Sequence, residues 1–291
     1  MNRRNFIQTT GLASASLMLP KFLKAQEKNA AINSDKILVI VQLTGGNDGL
    51  NTVVPFENDL YYNARPNIAI QKKEALKLTN QLGLNPAMIG FRNLFDEGKM
   101  CLINNVGYPD PDRSHFRSMD IWHTASNSNE YKSSGWLGRY LDEQCGDCDQ
   151  PTQVLEIDDT LSLALKGNNV KGLALKDAKR LYGTTIDPFI HQLSKQPVSG
   201  DHHHDNAAYL YKTLAETVSS ADYIYKTSKI FQSTATYPNH QFGKSMKTIS
   251  EFIISGINTK VYYVSLGSFD THFNQQKRQG VLLQQLSETV E

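Results

Sequence analysis

Apolar positions along this chain fall into two patterns. Lys36-Ile37-Leu38-Val39-Ile40-Val41-Gln42-Leu43 and Val261-Tyr262-Tyr263-Val264-Ser265-Leu266 are nearly unbroken apolar runs, as expected of strands buried on both faces. Met100-Cys101-Leu102-Ile103-Asn104-Asn105 has the same character, so a third strand is expected there, with Cys101 as a core residue. Elsewhere the apolar positions recur at helical spacing. Met88, Phe91, Leu94 and Phe95 mark a helix opened by Asn85-Pro86 and ending near Gly98. Phe242, Met246, Ile249, Phe252 and Ile253 mark another over 241–256, and Val281, Leu282, Leu286 and Val290 a last one over 280–291. Stretches 114–122, 135–144 and 206–225 also read as helical. Strand, long connection, helix, strand is the order of a parallel α/β sheet. The stretch 151–239 departs from it. Its short strand-like runs at 153–157 and 172–175 alternate with polar loops, and it reads as an insertion or cap over the sheet. The chain shows no internal repeat.

The N-terminus has a different logic. Arg3-Arg4 precedes Phe6-Ile7, a mildly apolar stretch runs over 7–19, and Lys21, Lys24 and Ala25 follow. That stretch is shorter than the roughly 20 apolar residues a bilayer span needs. A basic start, a short apolar middle and a small residue at the end define a removable targeting segment, with an amphipathic first helix as the alternative. The paired arginines favour the twin-arginine route. The reading is a signal peptide over 1–25, the twin-arginine translocase as partner during export, and a periplasmic or otherwise exported protein.

Composition narrows the field further. The 291 residues carry 30 Lys plus Arg against 29 Asp plus Glu, a net charge of +1, so no strong field draws nucleic acid or an anionic membrane. No segment after the signal is apolar enough to span a membrane. Cys145 and Cys148 form one Cys-Gly-Asp-Cys, a weak metal signal without a second pair and open to either a local disulfide or two free thiols. Neither a Gly-x-Ser-x-Gly elbow nor a dinucleotide or P-loop fingerprint is present.

Three segments each follow a strand of the expected sheet. The first, Thr44-Gly45-Gly46-Asn47-Asp48-Gly49-Leu50-Asn51, offers Asn47, Asp48 and Asn51. The second offers Arg113, Ser114 and His115, and the third, Gly267-Ser268-Phe269-Asp270-Thr271-His272, offers Asp270 and His272. In a parallel sheet all three meet at the carboxyl ends of the strands, where ligands bind. Asp and His suit Zn²⁺, and carboxylates suit Mg²⁺, Mn²⁺ or Ca²⁺. Ser114 at a helix start has backbone N–H groups and the helix dipole beside it, which suits phosphate or sulfate. Each feature has a plainer reading. Asp48 sits in a turn-forming Asn/Gly run, Ser114 is an ordinary N-cap, Asp270 suits a helix cap, and His115 suits loop support. His202-His203-His204, between Asp201 and Asp205, reads as a solvated loop that scavenges metal. His123, His191 and His240 have no partner visible in the sequence.

The chain resembles the bacterial proteins grouped as domain of unknown function family 1501, of the alkaline phosphatase and sulfatase superfamily. The resemblance rests on the twin arginine, Gly45-Gly46-Asn47-Asp48-Gly49-Leu50-Asn51-Thr52-Val53-Val54-Pro55, Arg113-Ser114-His115-Phe116 and Phe269-Asp270-Thr271-His272-Phe273-Asn274-Gln275. It implies an alkaline-phosphatase-like α/β domain over 36–291 with a mostly parallel central sheet flanked by helices and a cap over about 151–239. It also implies an exported metal-dependent hydrolase of small-molecule or glycan esters of phosphate or sulfate. Asp48, Asp270 and His272 would hold a divalent metal, and Ser114 would be the nucleophile. Arg113, His115, Asn47 and Asn51 would hold the non-bridging oxygens. The Asp-x-His spacing is tighter than in typical phosphatases. The superfamily also uses a later Asp-His pair and another His, which do not follow Gln275. The expectation is therefore a C-terminally truncated fragment with an incomplete sheet. The other reading is an inactive relative that binds an exported glycan or protein.

Overall fold

A computed structural model describes residues 36–144, 151–168, 171–195 and 206–291. The signal segment, Cys145, Cys148 and the histidine run 202–204 lie outside the described residues. Residues 38–291 form one unit, organised on four parallel strands in the order β1 (Leu38–Leu43), β7 (Val261–Leu266), β5 (Val154–Glu156), β6 (Leu173–Ala174). The pairing of β1 with β7 runs unbroken from Leu38↔Val261 to Leu43↔Leu266. Both apolar runs therefore end at the same level, and their following loops emerge side by side.

Alternation along β7 sorts its side chains onto two faces. Tyr262, Val264 and Leu266 enter the larger core. There they meet Ile224 of α8 (Asn206–Ser228), Phe242, Ile249 and Phe252 of α9 (Gln241–Ile254), and Leu283 and Leu286 of α10 (Gln275–Val290). Val261 and Tyr263 face the other way, onto Leu137 and Leu141 of α5 (Trp136–Gln144) and the 3₁₀ turn Leu163–Leu165. Each such apolar side chain contributes about 1.5–3 kcal/mol when removed from water. A sheet covered by helices on both faces explains why β7 reads as a continuous apolar run. A second, small antiparallel sheet joins β2 (Val53–Val54), β4 (Gly83–Leu84) and β3 (Leu76–Lys77). It lies over its own cluster of Val54, Phe56, Tyr61 and Ile70. Helix α1 (Gly49–Thr52) precedes β2 and α2 (Asp59–Ala64) follows it; α3 (Ile89–Asp96) and α4 (His115–Thr124) come after β4. The architecture is α/β, with a parallel sheet flanked by helices, consistent with an alkaline-phosphatase-like fold. Among the described residues no helix is long and apolar enough to cross a membrane.

Two expectations are corrected. Residues 100–105 form no strand, and Cys101 is exposed rather than in the core. Only Met100 and Leu102 are half-buried there, and Asn105 takes φ 60, a left-handed conformation that ends an extended run. With no strand on that side, β1 is the edge of the sheet. The stretch 151–239 is also no cap from its beginning, because its strands β5 and β6 are members of the central sheet. Their brevity, with β5 wholly buried, is what made them look peripheral. The helices after them, α6 (Ala178–Thr185), α7 (Pro188–Ser194) and α8, pack on one another. Tyr182 stacks on Tyr225 at 4.2 Å between α6 and α8. The last helix starts at Gln275, earlier than its apolar stripe suggested.

Candidate metal centre

The loops after β1 and β7 continue the strand pairing for one step. Thr44 N–H donates to Leu266 O at 3.0 Å, and Phe269 N–H donates to Thr44 O at 3.1 Å. Phe269 is 1% exposed and belongs to the larger core, so it anchors its loop while Asp270 beside it stays in solvent. Gly45 and Gly46 have φ 104 and 87, values that side-chain-bearing residues avoid. Space demands glycine there as well. A Cβ on Gly45 would lie 2.8 Å from Asp270 N, and one on Gly46 would lie 2.7 Å from His115 Cε1. The glycine pair is thus the point where the three segments meet.

His115 is the first residue of α4, behind the N-cap Ser114, whose Oγ accepts from Arg117 N at 3.4 Å. Ser114 N–H in turn donates to Asp112 Oδ1 at 2.7 Å. His115, Asp270 and His272 bring one ligand atom each to within 4.8 Å of one another. Asp270 Oδ1 lies 2.6 Å from His272 Nε2 and 3.5 Å from His115 Nε2. Ligand atoms of one tetrahedral ion at zinc–nitrogen distances sit about 3.3 Å apart. The His115–Asp270 pair meets that spacing as it stands. The His272 pair is a direct hydrogen bond that must open by under about 1 Å to admit an ion. The His272 side chain, 84% exposed, has room to do so. Two imidazoles and a carboxylate with an open outer side are the donor types that three-ligand zinc sites use. The loop carrying two of them holds Ser268 at φ 76 and Asn274 at φ 54, backbone conformations that cluster at ligand-binding sites.

Asp48, the first expected ligand, has other partners. Its side chain, 13% exposed, lies 2.5 Å from Arg65 Nη1 and accepts from Gln275 Nε2 at 2.5 Å. It also caps α1 by accepting from Asn51 N at 3.3 Å. Buried Gln279 donates to Asp48 O and to Asn47 Oδ1. Asp48 thus joins α1, Arg65 and the first residue of α10, a helix start that favours negative charge. Asn51, expected to touch substrate, is 1% exposed. It donates to Ile68 O and accepts from Tyr61 OH, so its amide is spent inside the fold. Asn47 is bound to Thr52 and Gln279. Arg113 is exposed and has no hydrogen-bond partner among the described residues.

Sequence reasoning missed a buried polar group on the α5 side of the sheet. His123, on α4 two turns beyond His115, has Nε2 3.0 Å from Gln42 Oε1, and Tyr263 OH donates to the same oxygen at 2.7 Å. Gln42 Oε1 only accepts, so the contact is a hydrogen bond in the tautomer that carries its proton on His123 Nε2. Burial lowers the His123 pKa and raises that of Tyr263. A lone Gln in an otherwise apolar strand was the available signal. On the same face Glu156 is 1% exposed, accepts from Ser162 N and Oγ, and has its pKa raised by burial.

Beside the centre, beyond Asp48, lies an open cleft of about 1680 Å³ walled by Asp48, Leu60, Arg65, Ile103, Val106 and Gln275 among others. No protein-family model matches the chain, and no match to it is found among the curated proteins or the solved structures.

Proposed function

We propose that this protein is an exported, metal-dependent hydrolase of phosphate or sulfate esters, small-molecule or glycan, carried through the twin-arginine translocase to the periplasm. The observation that supports this reading is the convergence of His115, Asp270 and His272 at the carboxyl end of the sheet. A divalent ion held by these three would supply Lewis acidity toward a phosphoryl or sulfuryl oxygen and lower the pKa of a water. The rest falls to the chain itself. Arg113 offers a free guanidinium whose fork suits non-bridging oxygens. The first turn of α4 adds unpaired N–H groups and the positive end of its dipole. Ser114 Oγ accepts from Arg117 N and has no acceptor for its own proton among the described residues, so its hydroxyl is uncommitted and is the proposed nucleophile.

The test is metal analysis and calorimetric titration of the whole chain with Zn²⁺, Mn²⁺, Mg²⁺ and Ca²⁺, followed by aryl phosphate and aryl sulfate assays. One ion per chain and metal-dependent turnover of one ester class, lost in Ser114→Ala, are expected. Absence of stoichiometric binding by all four ions would sink the reading. A second reading, an inactive relative that binds an exported glycan or protein, draws on the engagement of Asp48 by Arg65 and Gln275. It expects an intact fold without tight metal binding, no turnover and indifference to Ser114→Ala.

A further inference from the structure

We propose that Gln42, Tyr263 and His123 are positioning residues, whose hydrogen-bonded junction holds α4 on the sheet and so sets His115 opposite Asp270. Its functional meaning rests on the metal centre proposed above. Three elements carry that centre. Strand β1 leads into Gly45-Gly46, β7 leads into Asp270 and His272, and α4 begins with His115. Each of the same three elements contributes one residue to the junction beneath. Gln42 stands three residues before Gly45, and Tyr263 seven before Asp270. His123 stands eight residues after His115, or about 12 Å along the helix.

The start of α4 has little else to fix it. Residues 97–114 before it contain neither helix nor strand. Its first two residues are exposed, while Ile121, His123 and Thr124 near its end are buried. The helix is therefore held at its far end. There Gln42 Oε1 lies 3.0 Å from His123 Nε2 and accepts from Tyr263 OH at 2.7 Å. Among the described residues no hydrogen bond outside this trio joins α4 to the strands of the sheet. A carbonyl oxygen has two lone pairs, and the junction uses both. His123 and Tyr263 are 7% and 4% exposed, so water does not readily replace a lost partner. Apolar burial is non-directional, whereas a hydrogen bond fixes direction as well as distance. A rotation at His123 is carried by the helix to its start, where His115 lies against Gly46 with no room for a Cβ between them. Groups that orient metal ligands from behind are typically worth 10–100-fold in affinity.

The experiment titrates the whole chain with Co²⁺, a zinc surrogate with visible bands, and records the imidazole NMR signals of the metal-free chain. His123→Leu and Gln42→Leu should each weaken Co²⁺ binding by about tenfold and shift the His115 ring signals. His123→Gln, whose side-chain amide donates in place of the imidazole, should restore both. Tyr263→Phe keeps its ring and loses one donor, and should weaken binding by about threefold. It carries the test if the leucine variants lose the circular dichroism of wild type. Ile70→Ala, in the separate cluster under the small sheet, should lower stability and leave Co²⁺ affinity unchanged. Unmoved His115 signals in the junction variants, no rescue by His123→Gln, or an equal loss of affinity in Ile70→Ala would overturn the proposal. If wild type takes up no Co²⁺, the metal reading fails and the His115 signals alone decide the positioning.

Discussion

Asp48 and Asp270 each follow a strand of one parallel pair, each beside a glycine-bearing loop, and each looked like a metal ligand. Their surroundings separate them. Asp48 is 13% exposed and lies within reach of Arg65 and Gln275. Asp270 is 48% exposed and faces two histidines. A carboxylate that already neutralises a guanidinium gains little from an ion, because the ion must first break that pair. One that faces two imidazoles, themselves metal-ligating groups, and no guanidinium has its charge still to offer. The neighbours of a carboxylate, more than its place after a strand, decide whether it is structural or ligating.

Exchanging each aspartate for alanine tests this directly. Asp270→Ala should weaken metal binding by about a hundredfold or more, since it removes one of the three proposed ligands, and should leave thermal unfolding nearly unchanged. Asp48→Ala should do the reverse. It should cost about 2 kcal/mol of stability by leaving Arg65 without its carboxylate, and leave metal affinity close to wild type. Calorimetric titration and denaturant melts on both variants read the crossed pattern, and equal loss of metal from both would break the comparison.

Gly46→Ala sharpens it at the junction of the three segments. A Cβ there would lie 2.7 Å from His115 Cε1 at a backbone φ of 87. Metal affinity should fall by about tenfold as the imidazole is pushed aside, with a stability cost of about 1 kcal/mol. An unchanged titration curve would mean that His115 is not a ligand.

The smallest effect concerns His123, beneath the site. Its folded pKa lies below the ordinary value of 6.5 through burial. The unfolded chain therefore binds more protons just below pH 6.5, and stability falls as the pH drops through that window. The slope from this one group is at most about 1.4 kcal/mol per pH unit. Urea melts from pH 7.5 to 5.5 should show a shallower acid-side loss in His123→Gln than in wild type. Glu156 acts with the opposite sign, because burial raises its folded pKa above 4.5. Its contribution is fully present below pH 4.5 and declines as the pH rises through the folded value.

Much of the architecture was legible because burial on both faces leaves an unbroken apolar run. That rule found β1 and β7, and helical spacing found α3, α9 and the body of α10. It failed at 100–105, where Ile103 is apolar and yet 75% exposed, since periodicity reports what a residue prefers and not whether a partner strand lies beside it. It also undervalued β5 and β6, whose spans of three and two residues are too short for a pattern. At the candidate site, the sequence named His115, Asp270 and His272, which the fold brings together, but not the partners that engage Asp48 and Asn51. Ser114 shows the cap geometry its position suggested. Arg65 carried no signal at all, and it is Arg65 that engages the Asp48 carboxylate.

By itself, then, the sequence determined the local features. It set which runs are strands, which helices carry an apolar stripe, and that Gly45-Gly46, Ser114-His115 and Asp270-Thr271-His272 stand at element ends. These follow from side-chain volume, polarity and backbone freedom, which act over a few residues. Only the tertiary structure decided that His115, Asp270 and His272 meet, that Asp48 and Asn51 turn inward, and that His123 shares a buried oxygen with Tyr263. Those outcomes depend on pairings across more than a hundred residues, where the register of β1 on β7 and the approach of α4 to Gly46 set distances that no local pattern encodes.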